Sequence, residues 1–515
     1  MKRSTRSARR LAGVAGLASV ALVLGGCTLW FQAPSTEQTS TPTGEDVDAA
    51  LKPFYDQVLV WKSCGDSMQC ATATAPMNWN DPAAASIDLA LVRQQATSGR
   101  KMGSLLVNPG GPGGSGRDFI LNSVDYATSE TLQRNFDIVG FDPRGVGSSS
   151  AISCYDDPSA LDSYIYGILP GDIGSDEWLV AYEQANATFD ADCQKYTGPL
   201  LQYVDTVSAA RDLDLLRAVL GDKKLNYLGY SYGTYLGATY ADLYPEKTGR
   251  LVLDGAIDPA TTEFDVTLEQ AKGFESAFRA YLADCIGQDD CPFTGTVDEA
   301  VQTVIGIFAQ LQASPLTGSD GRQLGVGAMF GAVILPLYNQ DNWPYLNQLF
   351  AEVEHGQSDT AFLLADSLYG RDSDGSYADN STEGLTAINC SDYPNVSDLA
   401  TLREQAGELA AAAPLFGPLQ AYGGITCKNW PYPATRDRTA ISAAGSTDII
   451  VIGTTNDPAT PYVWARALAG ELENGHLISY TGEGHTAYNK GDDCVDSAVD
   501  DYFVNGTVPT EDPQC

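Results

Sequence analysis

Gly229-Tyr230-Ser231-Tyr232-Gly233 presents a serine in a setting suited to nucleophilic chemistry. The run Leu225-Asn226-Tyr227-Leu228 before it reads as a strand, and the small-residue stretch 234–240 after it reads as a helix. Strand, G-x-S-x-G, helix is the context that lifts a serine hydroxyl above a sheet edge, near a helix N-terminus. The turn is tight enough that side chains two residues either side of the serine would collide, and glycine at both places removes the clash. With 51 glycines in the chain the pentapeptide can arise by chance, so the reading depends on whether the other parts of a site are present.

A serine hydroxyl is a poor nucleophile at neutral pH and needs a base. Only three histidines exist. His355 follows Glu354 in a helical region and is expected at the surface; His476 opens a strand and is expected to point into structure. His485 lies in Gly482-Glu483-Gly484-His485-Thr486-Ala487, a glycine-bearing loop after the last strand, and is the candidate base. The base needs a carboxylate to fix its tautomer and stabilise its cation. Asp457, in Asn456-Asp457-Pro458-Ala459-Thr460-Pro461, follows a strand and gives the chain order Ser231, Asp457, His485, that of α/β-hydrolases. Asp254 also ends a strand and is the rival; its alternative role is to accept backbone hydrogen bonds in a loop. A tetrahedral intermediate needs N–H donors for its oxyanion. Asn108-Pro109-Gly110-Gly111-Pro112-Gly113-Gly114-Ser115-Gly116 follows an early strand and offers Gly111, and the residue after the nucleophile offers Tyr232. A phosphate loop fails, because no Gly-Lys-Ser/Thr follows and Pro112 has no N–H.

Together with Asp142-Pro143-Arg144-Gly145-Val146-Gly147-Ser148-Ser149, these motifs resemble the tripeptidyl aminopeptidases of actinobacteria, in the proline iminopeptidase branch of α/β-hydrolases. The resemblance runs from about residue 61 to 515 and is thin in the middle of the chain. Relatives with iminopeptidase activity carry His-Gly-Gly-Pro-Gly, where Pro109 stands here; the change argues against a simple prolyl enzyme. The resemblance implies an exported serine exopeptidase that releases short peptides, tripeptides above all, from a free N-terminus. Some related lipoproteins are credited with esterase activity, so a carboxylesterase or lipase with the same triad is the alternative. A non-catalytic binding protein on a hydrolase fold is a third reading, but no catalytic residue is missing. An epoxide hydrolase or dehalogenase would need a carboxylate at position 231. Arg144 is expected to brace the site by pairing with carboxylates. Glu263, Asp265 and Glu269 are candidates for holding a substrate ammonium. No metal or organic cofactor is implied: zinc is disfavoured because no C-x-x-C pair occurs and histidines are scarce.

The elements around these residues predict the fold class: α/β, with a mostly parallel central sheet, helices on both faces and an inserted helical cap; the motifs and the resemblance imply that this is the α/β-hydrolase fold. Apolar runs at 104–108, 136–142, 250–254, 448–453 and 476–480 alternate with helical patterns, as in a sheet covered on both sides. The run 86–93 alternates like an early antiparallel strand, and Leu213, Leu216, Val219 and Leu220 form one face of a helix. Between residues 260 and 435 the strand rhythm disappears. The expected organisation is a signal peptide at 1–26, a lipidated Cys27 with a flexible tether to residue 50, core at 51–259, cap at 260–435 and core again at 436–515. The basic segment 1–10, the uncharged stretch to Gly26 and Leu24-Gly25-Gly26-Cys27 read as an export signal that resembles a bacterial lipobox, which implies lipidation of Cys27. Eleven cysteines minus Cys27 leave an even ten: Cys64, Cys70, Cys154, Cys193, Cys285, Cys291, Cys390, Cys427, Cys494 and Cys515. In an exported chain these imply disulfides, with sequential neighbours the favoured pairing. The formal net charge of -36 argues against nucleic acid or an anionic membrane as partners; the family resemblance implies peptides with a free N-terminus as substrates, and the lipobox resemblance implies the membrane only through the lipid.

Overall fold

The computed structural model describes residues 38–99 and 101–515. The expectations for the signal peptide, for Cys27 and for residues 28–37 lie outside the described residues. A ten-stranded sheet forms the centre. In chain order the strands are β1 (Gln38–Thr39), β2 (Val60–Ser63), β3 (Met68–Pro76), β4 (Ser86–Gln94), β5 (Ser104–Asn108), β6 (Asp137–Phe141), β7 (Leu225–Tyr230), β8 (Thr248–Asp254), the small separate hairpin β9 (Leu316–Thr317) and β10 (Gln323–Leu324), β11 (Ile449–Asn456) and β12 (Gly475–Glu483). The sheet order is β1-β2-β3-β4-β6-β5-β7-β8-β11-β12. From β6 to β12 all neighbours are parallel; β1 to β4 add on antiparallel.

The parallel strands are apolar along their length because both faces are covered. Leu106, Val139, Tyr227, Leu251 and Val451 pack on one face against Leu213, Leu216 and Leu236. Their neighbours Val107, Ile138, Leu228, Val252 and Ile452 pack on the other against Ile120, Val499 and Phe503. The helix Thr206–Leu220 is buried well beyond its apolar stripe. Its polar residues, which a sequence pattern assigns to solvent, form internal ion pairs instead. Asp212 takes a fork of Arg144 donors at 2.7 and 2.6 Å, and Asp214 takes Arg217 Nε at 2.8 Å.

Residues 260–435 carry the helices Glu263–Cys285, Val297–Ala313, Val326–Leu337, Trp343–Glu354, Asp359–Tyr369, Ser381–Asp392 and Leu399–Ala412, several of them around a core of their own that includes Phe278, Met329, Leu346 and Phe416. A second stretch joins this layer. The helices Pro158–Ile165 and Asp176–Thr197, inserted after β6, contact it through Tyr166 in that core, Leu179 beside Leu402 and Ile425, and ion pairs Arg371–Asp162 and Lys428–Glu183 at 2.7 Å each. The tether expectation needs correction from Gln38 onward. Gln38 and Thr39 pair with Trp61 and Val60, Thr43 N–H donates to Ala218 O at 2.9 Å, and Glu45 binds Arg217 and Lys247. Backbone bonds and charges hold most of this segment, with Val47 alone of its side chains packed on the main hydrophobic core, so it shows no hydrophobic periodicity.

The ten cysteines close five disulfides between sequential neighbours: Cys64–Cys70, Cys154–Cys193, Cys285–Cys291, Cys390–Cys427 and Cys494–Cys515. Among the described residues no helix is long and apolar enough to cross a membrane.

Candidate active site

Ser231 stands between β7 and the helix Tyr232–Leu243 with φ +54° and ψ −124°, a region that non-glycine residues occupy only when their surroundings enforce it. The enforcement is local. Ser231 N–H donates to Asp254 O at 2.9 Å, and its carbonyl accepts from Thr234 N at 2.8 Å and Thr234 Oγ1 at 2.6 Å. The flanking glycines serve close approach: a Cβ on Gly229 would lie 2.4 Å from Gly233 O, and one on Gly233 would lie 2.8 Å from Asn108 Oδ1. The unusual backbone angles fall on the serine itself.

The glycine loop after β5 lies directly on this turn. Gly110 has φ +98°, and a Cβ there would sit 2.6 Å from Tyr230 O and 2.8 Å from Ser231 Cβ, so only glycine fits. Asn108 Oδ1 accepts the Gly110 N–H at 3.0 Å and fixes the loop. Tyr232 is the first residue of its helix, where an N–H has no intrahelical acceptor. Among the described residues neither the Gly111 nor the Tyr232 N–H is bound to a protein acceptor.

Asp457 and His485 meet where β11 and β12 end. His485 Nδ1 lies 3.0 and 2.9 Å from the two Asp457 oxygens. Asp457 is 2% exposed and its remaining lone pairs are filled by N–H of Ala459 and Thr460, the Thr460 hydroxyl and Thr486 N–H. That network holds the carboxylate rigid and matches its charge with donors. The imidazole reaches the serine side through the β8 loop: a Cβ on Gly255 would lie 3.1 Å from His485 Cε1, and the residue before Gly255 accepts the Ser231 N–H. Asp254, the rival acid, is fully buried and turns its carboxylate to Ala487 and Tyr488 N–H at 2.8–3.1 Å. It secures the backbone just past His485 rather than the ring. Burial raises its carboxyl to about 6.

Two cap or loop residues at this site stand outside the sequence candidates. Tyr338, ending the helix Val326–Leu337, accepts His485 N–H on its carbonyl at 2.8 Å and sets its ring edge-on to the imidazole. Thr460 Oγ1 lies 3.2 Å from His485 Nδ1 as well as on Asp457. The spacing Asp-x-x-Thr is the only feature that could have pointed to the latter. Arg144 is wholly buried and uses Nε, Nη1 and Nη2 on Asp212 and the carbonyls of Pro76, Met77 and Tyr203, bracing the loop after β6. His355 caps its helix at the surface. His476 is not turned inward as expected: it pairs with Asp448 at 2.8 Å at the opposite end of the strands.

Of the three cap carboxylates, Asp265 is used as a helix cap on Thr262 N–H and hydroxyl, and Glu269 pairs with Lys272 at 2.6 Å. Their expected ammonium role is withdrawn on that ground. Glu263 is different: burial raises its pKa, and its carboxylate abuts Gly423. Close by, Asp392 accepts Thr206 N–H at 2.9 Å and its hydroxyl at 2.5 Å, and the same hydroxyl lies 2.5 Å from the Tyr232 phenol. The cap helix Ser381–Asp392 is thereby joined to the residue after the serine.

Residues 413–515 match the family described as TAP-like protein. The chain is 35% identical to "Serine protease Hip1" of Mycobacterium tuberculosis over 100% of this chain and 99% of that protein. It is also 35% identical to "Carboxylesterase B" of the same species, over 97% of each. It is 28% identical to "Tripeptidyl aminopeptidase" of Streptomyces lividans, over 88% of this chain and 86% of that one. With the strand–serine–helix turn, the Asp457–His485 pair and the glycine loop gathered at one edge of a parallel sheet, the chain belongs to the tripeptidyl-aminopeptidase-like α/β-hydrolases of actinobacteria and is a serine hydrolase.

Proposed function

We propose that the chain is an exported serine exopeptidase that hydrolyses peptide bonds near a free N-terminus and releases tripeptides. The observation that supports this reading is the Asp457–His485 pair at the same sheet edge as the positive-φ Ser231 turn and the glycine loop packed on it. Ser231 Oγ attacks the scissile carbonyl while His485 Nε2 takes its proton; Asp457 holds Nδ1–H and balances the imidazolium. The N–H groups of Gly111 and Tyr232 stabilise the oxyanion. His485 then protonates the leaving amine, and water activated by the same base releases the acyl-enzyme. Glu263 is the group assigned to the substrate ammonium, since a carboxylate held in a poorly solvated place gains most from a cation. Cys27 is assigned as the lipid attachment point that keeps the mature chain at the outer face of the membrane.

A relative named as a carboxylesterase shares the 35% identity of the one named as a serine protease, over a slightly shorter span, so ester hydrolysis is the second reading. Both are tested by giving the mature protein tripeptide, dipeptide and single-residue amides, N-blocked controls and short acyl esters. Free tripeptide amides should be cleaved fastest. Equal cleavage of blocked peptides overturns the exopeptidase reading, and ester turnover without peptide turnover replaces it. Ser231→Ala should remove all of these activities.

A further inference from the structure

The end of the sheet opposite the serine holds a cavity of about 490 Å³ with an unusual charge pattern. It opens where β7, β8 and β11 begin, and the C-terminal helix Asp493–Asn505 and the residues after it close one side. Lys223, Lys224 and Arg250 line it. The whole chain has 66 acidic and 30 basic residues, yet none of these three cations has a carboxylate partner among the described residues. Arg250 Nη1 donates to the carbonyl of Phe503, and Lys223 and Lys224 are exposed. Two acids also line the space. Asp222 accepts Ser104 N–H at 3.2 Å and Asp448 accepts from His476 Nε2 at 2.8 Å. An ionised carboxylate offers about four acceptor sites, so both can take further donors.

A bare inorganic anion would be repelled by those acids, and a cation by the lysines. A ligand that carries a phosphate beside several hydroxyls satisfies both: charge-assisted bonds to Lys and Arg, and hydroxyls donating to Asp222 and Asp448. The chain itself says which source of such a ligand lies near. Gln38 Oε1 accepts from Arg93 Nη2 at 2.8 Å; Arg93 and Lys101 both pair with Asp137, at 3.5 and 2.9 Å. The residue after Lys101 is Met102, an apolar side chain 46% exposed on the cavity lining. The described chain therefore begins at the same end of the sheet as the cavity. Ten residues separate Cys27 from Gln38 in the sequence.

We infer that this cavity is a binding site for a phosphorylated polyol, supplied by the headgroup of a membrane phospholipid, and that its occupation turns the catalytic edge away from the membrane. The choice of a lipid source rests on the lipidation of Cys27 proposed above; binding of the headgroup does not. A chain of net charge -36 is repelled by an anionic surface as a whole, so the site must recognise single headgroups and not surface charge.

The test uses the mature chain from Thr28 onward, which lacks both the lipid and the basic leader. It is floated with phosphatidylcholine vesicles, plain or containing a small share of phosphatidylinositol or phosphatidylglycerol. Soluble inositol phosphate, glycerol phosphate and inorganic phosphate are titrated separately. Headgroup-bearing vesicles should retain the protein, soluble polyol phosphate should compete, and Lys223→Glu with Lys224→Glu should weaken both by about tenfold or more. Asp448→Asn should weaken the polyol phosphate but not inorganic phosphate. Equal binding to plain vesicles, or unchanged binding by the lysine variants with unchanged melting temperature, overturns the site. Binding of the soluble polyol phosphate without vesicle binding overturns the lipid source. Because catalysis is not read, a failure of the peptidase assignment leaves these outcomes distinct.

Discussion

Two buried aspartates sit within one loop of His485, and the structure divides their work. Asp457 bonds the ring, whereas Asp254 bonds the backbone N–H of Ala487 and Tyr488. The consequences of removing their charge therefore differ. Asp457→Asn presents an amide N–H or a weaker acceptor to Nδ1, favours the wrong tautomer and leaves the imidazolium without its counter-charge; kcat should fall by about 10⁴. Asp254→Asn keeps an acceptor for the same N–H groups. Since the Asp254 carboxyl is already raised to about 6 by burial, the amide removes a desolvated charge at neutral pH. Its kcat should fall by roughly tenfold or less, as expected for a group that acts through the loop. Steady-state kinetics on one substrate with both variants decides the point, and a larger loss from Asp254→Asn would reverse the assignment. Thr460→Val offers a finer test. It removes the hydroxyl bonded to both Asp457 and His485 and should lower kcat more than it raises KM, because Thr460 is buried behind that pair at 2% exposure.

At the scale of elements, the contact between the glycine loop and the cap helix Ser381–Asp392 couples two layers distant in sequence. Gly113 has φ +97°, and a Cβ there would meet Ser381 O at 2.6 Å and Leu385 N at 2.9 Å. Both are backbone atoms, so the helix must move as a body. Gly113→Ala should cost about 2–4 kcal/mol and depress kcat/KM with it. Gly407, inside the cap helix Leu399–Ala412, has open space around the added Cβ; Gly407→Ala should stabilise by about 0.5–1 kcal/mol. Thermal melts of the two variants should thus move in opposite directions. The same comparison shows why the sequence is legible at one edge of the molecule and opaque at another. Ser231, Asp457 and His485 each follow a short apolar strand, and a strand end constrains position so strongly that order along the chain is informative. The cap has no such frame. Its helices bury faces against one another, Tyr338 reaches His485 through a carbonyl that any residue possesses, and the inserted helix Asp176–Thr197 joins the cap from a stretch that reads as core. Residues 38–50 read as a tether for the converse reason, since composition does not reveal a segment held by Glu45 and backbone bonds.

For the molecule as a whole, the formal charge of -36 is less telling than the acids that are not at the surface. Burial raises the carboxyls of Asp190, Glu383 and Asp392 to about 7. Glu383 and Asp392 belong to the cap helix that contacts the glycine loop and Thr206, while Asp190 lies on the inserted helix that bridges core and cap. In the unfolded chain such groups ionise near pH 4. Between about pH 4 and 7 the unfolded state has therefore released protons that the folded state still holds, and stability falls as pH rises through that window. Above about 7 the folded groups ionise too and the loss levels off. The acids that hydrogen bonds and ion pairs hold below their ordinary range, among them Asp162, Asp320 and Asp398, act with the opposite sign, but their stabilisation is complete above pH 4 and is lost only below it. The two sets place the maximum of stability on the acid side, near pH 4 to 5. A shift of about three units in one buried group corresponds to an effect on the order of 4 kcal/mol, enough to dominate a melting curve. General repulsion among surface charges also grows with pH, so the buried contribution must be separated from it. Salt does this: it screens surface repulsion and leaves a buried carboxyl largely untouched. Melting temperatures measured across pH 4 to 8 at high salt should still decline toward pH 7 for the native chain. Asp392→Asn, which can retain one acceptor for Thr206 without an ionisable group, should flatten that decline and bring the cap helix Ser381–Asp392 to lower hydrogen exchange at neutral pH. A melting temperature that climbs from pH 4 to 7, or an Asp392→Asn curve parallel to the native one, would show that the cap is not docked through a protonated carboxyl.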